Sequence, residues 1–139
     1  MTQQNFDFWQ DHSLRYLEMA FSRDYDEIVP NPDGYAKKTG DCGDTVEFFI
    51  TVDHDTIKRI THHINGCQNT NACANAIAHL VGGKTIHQAW KVTPQKVAAF
   101  LETLPAHHFH CAELAVGTLY LALAGIQDTR RAPWKKLYR

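Results

Sequence analysis

The stretch TVEFFITVDHDTIKRITHHI, residues 45–64, decides how the rest of the chain is read. Val46, Phe48, Ile50 and Val52 alternate with Glu47 and Thr51, the period-two pattern of a half-buried strand. Residues 53–56, Asp-His-Asp-Thr, have the composition of a tight turn. Beyond them Ile60, His62 and Ile64 fall on one side of a second strand, 57–64. The economical reading is an antiparallel hairpin, with a third strand around residues 35–38.

Outward from the hairpin the period becomes helical. Upstream, residues 4–22 carry Phe6, Trp9, Leu14, Leu17 and Phe21 at amphipathic spacing, with Phe8 and Tyr16 outside the stripe. Pro30, Asn31, Pro32, Asp33 and Gly34 then break the chain. Downstream, Asn69 or Thr70 is positioned to cap a helix of small residues that Gly82 and Gly83 end. A short helix follows around 86–90. Thr93 as N-cap and Pro94 as first residue start another over 94–104. The last helix, about 108–125, presents Leu114, Ala115, Thr118, Leu121 and Ala122, with Gly125 at its end. This order predicts one α+β domain over residues 1–139. Its small antiparallel sheet, of about three strands, packs against an N-terminal helix and several C-terminal helices.

With 44% hydrophobic and 21% charged residues, the 139-residue chain can bury a core without disulfides. A net charge of −1 provides no basic field for nucleic acid. No apolar run reads as a membrane span of roughly 18–20 residues. MTQQNFDFWQDH, at the start, lacks the basic and apolar regions of a secretory signal. The expectation is a cytoplasmic protein with reduced thiols. DTRRAPWKKLYR (128–139) reads as a solvated basic tail, or alternatively as a surface for an acidic partner.

Four cysteines, Cys42, Cys67, Cys73 and Cys111, then favour metal or thiol chemistry over disulfides. Cys42 lies between Asp41 and Asp44, in the loop entering the first long strand. Neighbouring carboxylates disfavour a thiolate, which is poor for a lone nucleophile; a cation stabilises both together. Cys67 lies where the second strand meets the next helix, and Cys111 in the first turn of the last, where the helix dipole favours thiolate. All three sit at element ends, where distant segments converge. Asp44 and His110, one or two residues away, supply a fourth ligand of oxygen or nitrogen. Such a set suits zinc or an iron–sulfur cluster, although the 24 and 43 residues that lie between successive cysteines match no finger or ribbon. The plainer alternative is three buried structural thiols. Cys73 reads as a core residue, with a disulfide or spare persulfide site as the alternative. His62 reads as packed and hydrogen-bonded, His107 and His108 as solvated, and Asp41 as tightening its loop. Lys84 follows a Gly-Gly pair but lacks the frame of a phosphate loop.

C-G-D at 42–44, G-C at 66–67, G-K-T at 83–85 and L-P…H-C at 104–111 occur in the order and approximate spacing of the U-type iron–sulfur cluster assembly scaffolds. Over roughly residues 30–125 the chain resembles this IscU/NifU/SufU family. The resemblance implies an IscU-like fold and a scaffold, not a turnover enzyme, on which a [2Fe-2S] cluster is built transiently and passed to acceptor proteins. It implies Cys42, Cys67 and Cys111 as ligands, completed by Asp44 or His110, with Lys84 near the site. Persulfide sulfur would arrive from a cysteine desulfurase onto Cys111 or Cys42. The short gap between Lys84 and Leu104 is like the IscU/NifU branch and unlike SufU, which carries an insertion there. The alternatives are a zinc-dependent sulfurtransferase of the SufU type, with Zn2+ on the same ligands, and a zinc-stabilised adaptor. LPAHH (104–108) departs from the Leu-Pro-Pro-Val-Lys segment that a chaperone reads in IscU, which argues against chaperone-driven release. Cys73 and a short 32–42 loop are further departures, and nothing like the later domains of NifU follows. A carboxylate ligand weakens one arm of the site, which suits a cluster that must leave; a homodimer around a shared cluster is compatible with the set. This reading requires three sulfurs to meet at one exposed pocket beside an acidic oxygen.

Overall fold

The alternation over 45–64 becomes a hairpin in the structure, a computed structural model that describes residues 12–134. Strands β2 (Thr45–Asp53) and β3 (Thr56–Asn65) pair antiparallel, with Val46 opposite Ile64, Phe48 opposite His62 and Ile50 opposite Ile60. β1 (Gly34–Thr39) lies antiparallel on the other side of β2, so the sheet order is β1-β2-β3. Val46, Phe48, Ile50, Ile60 and His62 are buried, as the alternation requires.

The helices are α1 (Leu14–Phe21), α2 (Gln68–Val81), α3 (Ile86–Ala89), α4 (Pro94–Leu101) and α5 (Phe109–Arg131), with a 3-10 turn at Ala106–His108. α5 lies across β1 and β2, α2 against β3, and α1 against α2. Residues 72–78 of α2 are buried without interruption; mostly alanine, they let neighbouring elements approach closely. Thr85 and Gln88 form a reciprocal cap on α3, and Thr93 caps α4 just before Pro94. The fold is the expected α+β arrangement.

Several boundaries and faces differ from expectation. Of the helix expected over 4–22, residues 4–11 lie outside the described part, and the chain turns helical only at Leu14, where the Ser13 hydroxyl accepts from the Tyr16 N–H. Its buried face is Tyr16, Met19 and Ala20, whereas Leu14 and Phe21 are exposed. Tyr16 can enter the core because its hydroxyl donates to Asn69 Oδ1. α2 starts at Gln68 with Cys67 as N-cap, earlier than the Asn69 or Thr70 cap expected, because both of those side chains are buried in other bonds. α4 ends at Leu101, where Glu102 adopts φ 68°. α5 runs through Gly125 to Arg131, because Ile126 and Thr129 still face the core. The first part of the supposed tail is thus helical, and Arg130 bonds Asp55 and the His54 carbonyl. Residues 135–139 lie outside the described part. Leu121 is exposed; Leu119, Leu123 and Ile126 carry the buried face. Contrary to expectation, the segment Ala106–Arg131 is long and apolar enough to cross a membrane, an 18-residue window of it having a mean hydropathy of 1.5. More than half of that window, 56%, is buried inside the protein, as for a core helix.

A buried polar cluster ties three elements together. Asn75 Nδ2 donates to Met19 O at 2.7 Å and Ser22 O at 3.1 Å, which turns its Oδ1 toward His62 Nε2 at 2.7 Å. The amide orientation therefore makes His62 Nε2 the donor. Nδ1 is left buried without a hydrogen-bond partner among the described residues. Burial holds the His62 pKa below its ordinary 6.5, against the raising effects of Asn75 and Asp26.

Two outcomes follow. Asn75→Ala removes the bonds to the Met19 carbonyl and the His62 donor and leaves the Ser22 carbonyl with only the 3.5 Å bond from Asn71 Nδ2, and is expected to lower the unfolding free energy in urea by about 2–4 kcal/mol. Because the folded state disfavours protonated His62, its contribution is complete above about pH 6.5 and is lost as pH falls below that value. Unfolding curves between about pH 7 and pH 5 are expected to slope less steeply in His62→Gln than in the parent.

Candidate metal centre

The pairing of Thr45 with Asn65 sets Asp44 beside Gly66. The β1–β2 turn closes through Gly40 N–H to Asp44 O and Gly43 N–H to Gly40 O, both 2.9 Å, with Gly43 at φ 91° where a side chain is disfavoured. Asp44 Oδ2 accepts from the Cys67 N–H at 3.2 Å and the Thr70 hydroxyl at 2.6 Å. A Cβ on residue 66 would lie 2.5 Å from Asp44 Cγ, so the carboxylate requires glycine there. The carboxylate thus docks on the start of α2, where free N–H groups and the helix dipole favour it. Cys67 Sγ lies 3.7 Å from Thr70 Oγ1.

From the other side, the 3-10 turn and the first turn of α5 bring in His108 and Cys111. Cys67 Sγ, Cys111 Sγ and a ring nitrogen of His108 all lie within 4.8 Å of one another. His108 Nδ1 is shut off from solvent and makes no hydrogen bond among the described residues. His110 Nε2 is 3.7 Å from Cys111 Sγ. His110 also lines a cavity of about 330 Å³ with Cys42, Lys38, Asp41 and Glu113. His110 therefore stands between Cys111 and the cavity that Cys42 lines.

These placements refine the sequence reading. Cys67 and Cys111 come together with Asp44 and His110 at their border; Cys42 stands outside the close group, exposed on its own turn. The three sulfurs do not share one exposed pocket, because Cys111 is buried. Lys84 is not near the site. Its carbonyl accepts from the Ile57 N–H, eight residues along β3 from Asn65, or about 26 Å at the rise of a strand. Cys73 is buried in the core. His108, read as solvated, is half-buried against both cysteines. The signal for it was its place three residues before Cys111, the spacing of neighbours on one helical face.

Burial pushes the Cys111 thiol up to about 11, the Cys67 and Asp44 charges add to this, and only the Thr70 hydroxyl opposes it. Burial also raises the Asp44 carboxyl, but the bonds from Thr70 and Cys67, with His110 nearby, outweigh it and leave the group below its usual range. Burial lowers the His108 imidazole, and His107 and His110 lower it further. Without a cation, Cys111 is therefore a neutral thiol beside an ionised carboxylate. Two sulfurs and an imidazole at this range are a donor set for zinc or iron, and a bound cation favours the thiolates. Cys42 and Cys67 are exposed, whereas Cys73 and Cys111 are buried. In native, metal-free protein, mass spectrometry after iodoacetamide is expected to show two thiols alkylated rapidly and two only after unfolding.

A sequence profile for the NifU-like N-terminal domain matches residues 31–132. Iron-sulfur cluster assembly scaffold protein IscU 1 of Archaeoglobus fulgidus is 34% identical over 82 residues, covering 59% of this chain and 54% of the relative. IscU of Aquifex aeolicus is 31% identical over 84 residues, 59% and 54% of the two chains. The chain spans about half the length of the curated relatives it matches. A putative iron-sulfur cluster assembly scaffold protein for the SUF system, from Fervidobacterium islandicum, superposes with TM-score 0.69 at 18% identity, over 84% of this chain and 99% of the other. The N-terminal part of a NifU-like protein from Brucella abortus gives 0.67 at 16%, over 88% and 99%. At those identities the likeness is one of fold. The profile match runs from just before β1 to the end of α5, across every element that contributes to the centre, and the chain belongs to the NifU-like N-terminal domain family.

Proposed function

We propose that this protein is a scaffold on which an iron–sulfur cluster is assembled, as the names of its relatives say of them, and from which the cluster is then handed to an acceptor protein. The observation that carries this reading is the approach of Cys67, Cys111 and His108 to within 4.8 Å at the junction of two helices, with the exposed Cys42 on the adjoining turn. Cys42, Cys67 and Cys111 act as cluster ligands, with Asp44 or His110 completing the set; because Cys111 is buried and Cys42 stands on its own turn, this reading requires the Cys42 turn to close on Cys67 and Cys111 as cargo binds. Sulfur arrives as a persulfide on a cysteine desulfurase, and a thiolate of the scaffold takes the outer sulfur while the desulfurase thiolate leaves. Of the two candidate acceptors, Cys42 is exposed, whereas Cys111 is buried and its thiol is held near 11. Cys42 is thus the better placed to receive sulfur before a metal is bound. The protein carries a cluster and turns nothing over. Thiols that must stay free between cycles belong in a reducing compartment, the cytoplasm.

The same close group of two sulfurs and one imidazole also suits tetrahedral zinc, which supports a zinc-dependent persulfide acceptor as the second reading. The two are separated by anaerobic reconstitution with ferrous iron, cysteine and a desulfurase. The scaffold reading expects iron and acid-labile sulfide in near-equal amounts with visible absorption, and loss of both in Cys67→Ser or Cys111→Ser. Zinc retained without sulfide, together with stimulation of the desulfurase, would instead establish the second reading. Asp44→Ala is expected to slow cluster transfer to an apo-acceptor; an unchanged transfer rate removes Asp44 from the release step.

A further inference from the structure

We propose that the start of α1 is a latch on the metal centre, with Thr103 as the positioning residue through which it acts. The inference rests on the reading that the starts of α2 and α5 hold a metal cargo, and it concerns what keeps those two starts together.

The connection between α4 and α5 is strained where it begins. Glu102, at φ 68° and ψ −47°, occupies left-handed backbone that a residue with a side chain disfavours. The Thr103 N–H reaches back to the Leu101 carbonyl at 2.7 Å, closing a γ-turn of the rare, strained hand. Glycine would adopt this conformation at little cost, yet the chain has glutamate there. Such a turn persists only where its surroundings hold it.

The groups that hold it come from the start of α1. Thr103 Oγ1 accepts from the Ser13 N–H at 3.0 Å and pairs with His12 Nδ1 at 3.0 Å. The Ser13 hydroxyl donates to the Leu101 carbonyl at 3.2 Å. Arg15 lies 4.7 Å over the Phe100 ring, donates to the Phe100 carbonyl at 3.4 Å and faces Glu102 at 3.9 Å. Beyond Thr103 the connection has no comparable tie. Among the described residues its hydrogen bonds are local, from the His108 N–H to the Pro105 carbonyl at 2.9 Å and from the Phe109 N–H to the Ala106 carbonyl, while Leu104 packs partly buried on the core.

The same helix also holds the opposite wall of the centre. Three residues on from Ser13, the Tyr16 hydroxyl bonds Asn69, in the first turn of α2 and two residues past Cys67. Asn71 Nδ2 donates to the Ala20 carbonyl at 2.9 Å. α1 therefore braces the two segments between which Cys67 and Cys111 meet. While His12 and Ser13 hold Thr103, the strained turn is kept and the centre stays closed. Once they let go, Glu102 relaxes and draws residues 103–110, with the first turn of α5, away from Cys67. The latch sets how long cargo stays, and the strain favours departure when it opens.

The test uses the full chain loaded with Zn2+ alone. Release is followed with an excess of chromophoric chelator, and hydrogen exchange by mass spectrometry over residues 102–111, with β2 and β3 as internal reference. Thr103→Val keeps the shape and removes the hydroxyl. It is expected to speed both Zn2+ release and exchange over 102–111 by about tenfold, with β2 and β3 unchanged. Glu102→Gly removes the strain and is expected to slow both by about fivefold. Glu102→Gln, which removes only the charge, is expected to match the parent, and Glu102→Gly combined with Thr103→Val to fall between the two single variants. Parent-like release in Thr103→Val overturns the proposal. So does faster exchange spread evenly over the protein, or release in Glu102→Gly that is no slower than in the parent. Glu102→Gly decides the matter if Thr103→Val does not fold. A parent that binds no Zn2+, or that fails to retain iron and sulfide on reconstitution, counts instead against the metal reading, and the exchange measurement still decides the latch.

Discussion

The pairing of Thr45 with Asn65 in the β2–β3 hairpin is the constraint on which the centre depends. It sets the last residue before β2 against the first after β3, so Asp44 meets Gly66 and Cys67 with no further machinery. The same register places Phe48 opposite His62 and Ile50 opposite Ile60 on the buried side. A slip of one residue would expose all four and carry Asp44 away from the start of α2. Core and site are therefore specified by one alignment. The apolar alternation enforces it energetically, and the site inherits the result.

The second requirement is that α5 approach closely enough to bring Cys111 to Cys67. The small residues of α2 permit this approach, and the buried face of α5, through Leu119, Leu123 and Ile126, stabilises it by removing apolar surface from water. Tyr16 adds a third wall. Its phenol is raised to about 12 by burial first, and then by the charges that Cys73, Cys67 and Cys111 would carry as thiolates. The centre thus lies where a hairpin end, two helix starts and the N-terminal helix converge, with one sulfur buried and one exposed.

That division has an electrostatic reason. A cluster of thiolates beside a carboxylate is self-repelling without a cation, and the chain meets this by keeping Cys111 neutral through burial while Asp44 stays ionised on two hydrogen bonds. Asp44 therefore contributes to architecture whether or not metal is bound. The thiols supply the variable charge, and a cation arriving at the exposed Cys67 favours their conversion to thiolates.

The sequence by itself determined the strands, most of the helices, the three cysteines at element ends and Asp44 beside the first of them. These features follow from local periodicity, from cap and breaker residues, and from the mismatch between a thiol and flanking carboxylates. The family resemblance could likewise be read from four short motifs in order. Only the tertiary structure decided that His108 joins Cys67 and Cys111, that Cys42 stands apart on its turn, that Lys84 sits at the far end of β3 and that α5 runs past Gly125. A motif reports which chemistry a chain carries. Distances between side chains from separate elements depend instead on how the helices pack and where a single 3-10 turn points. That geometry comes from many weak, long-range contacts acting together, so no local pattern encodes it.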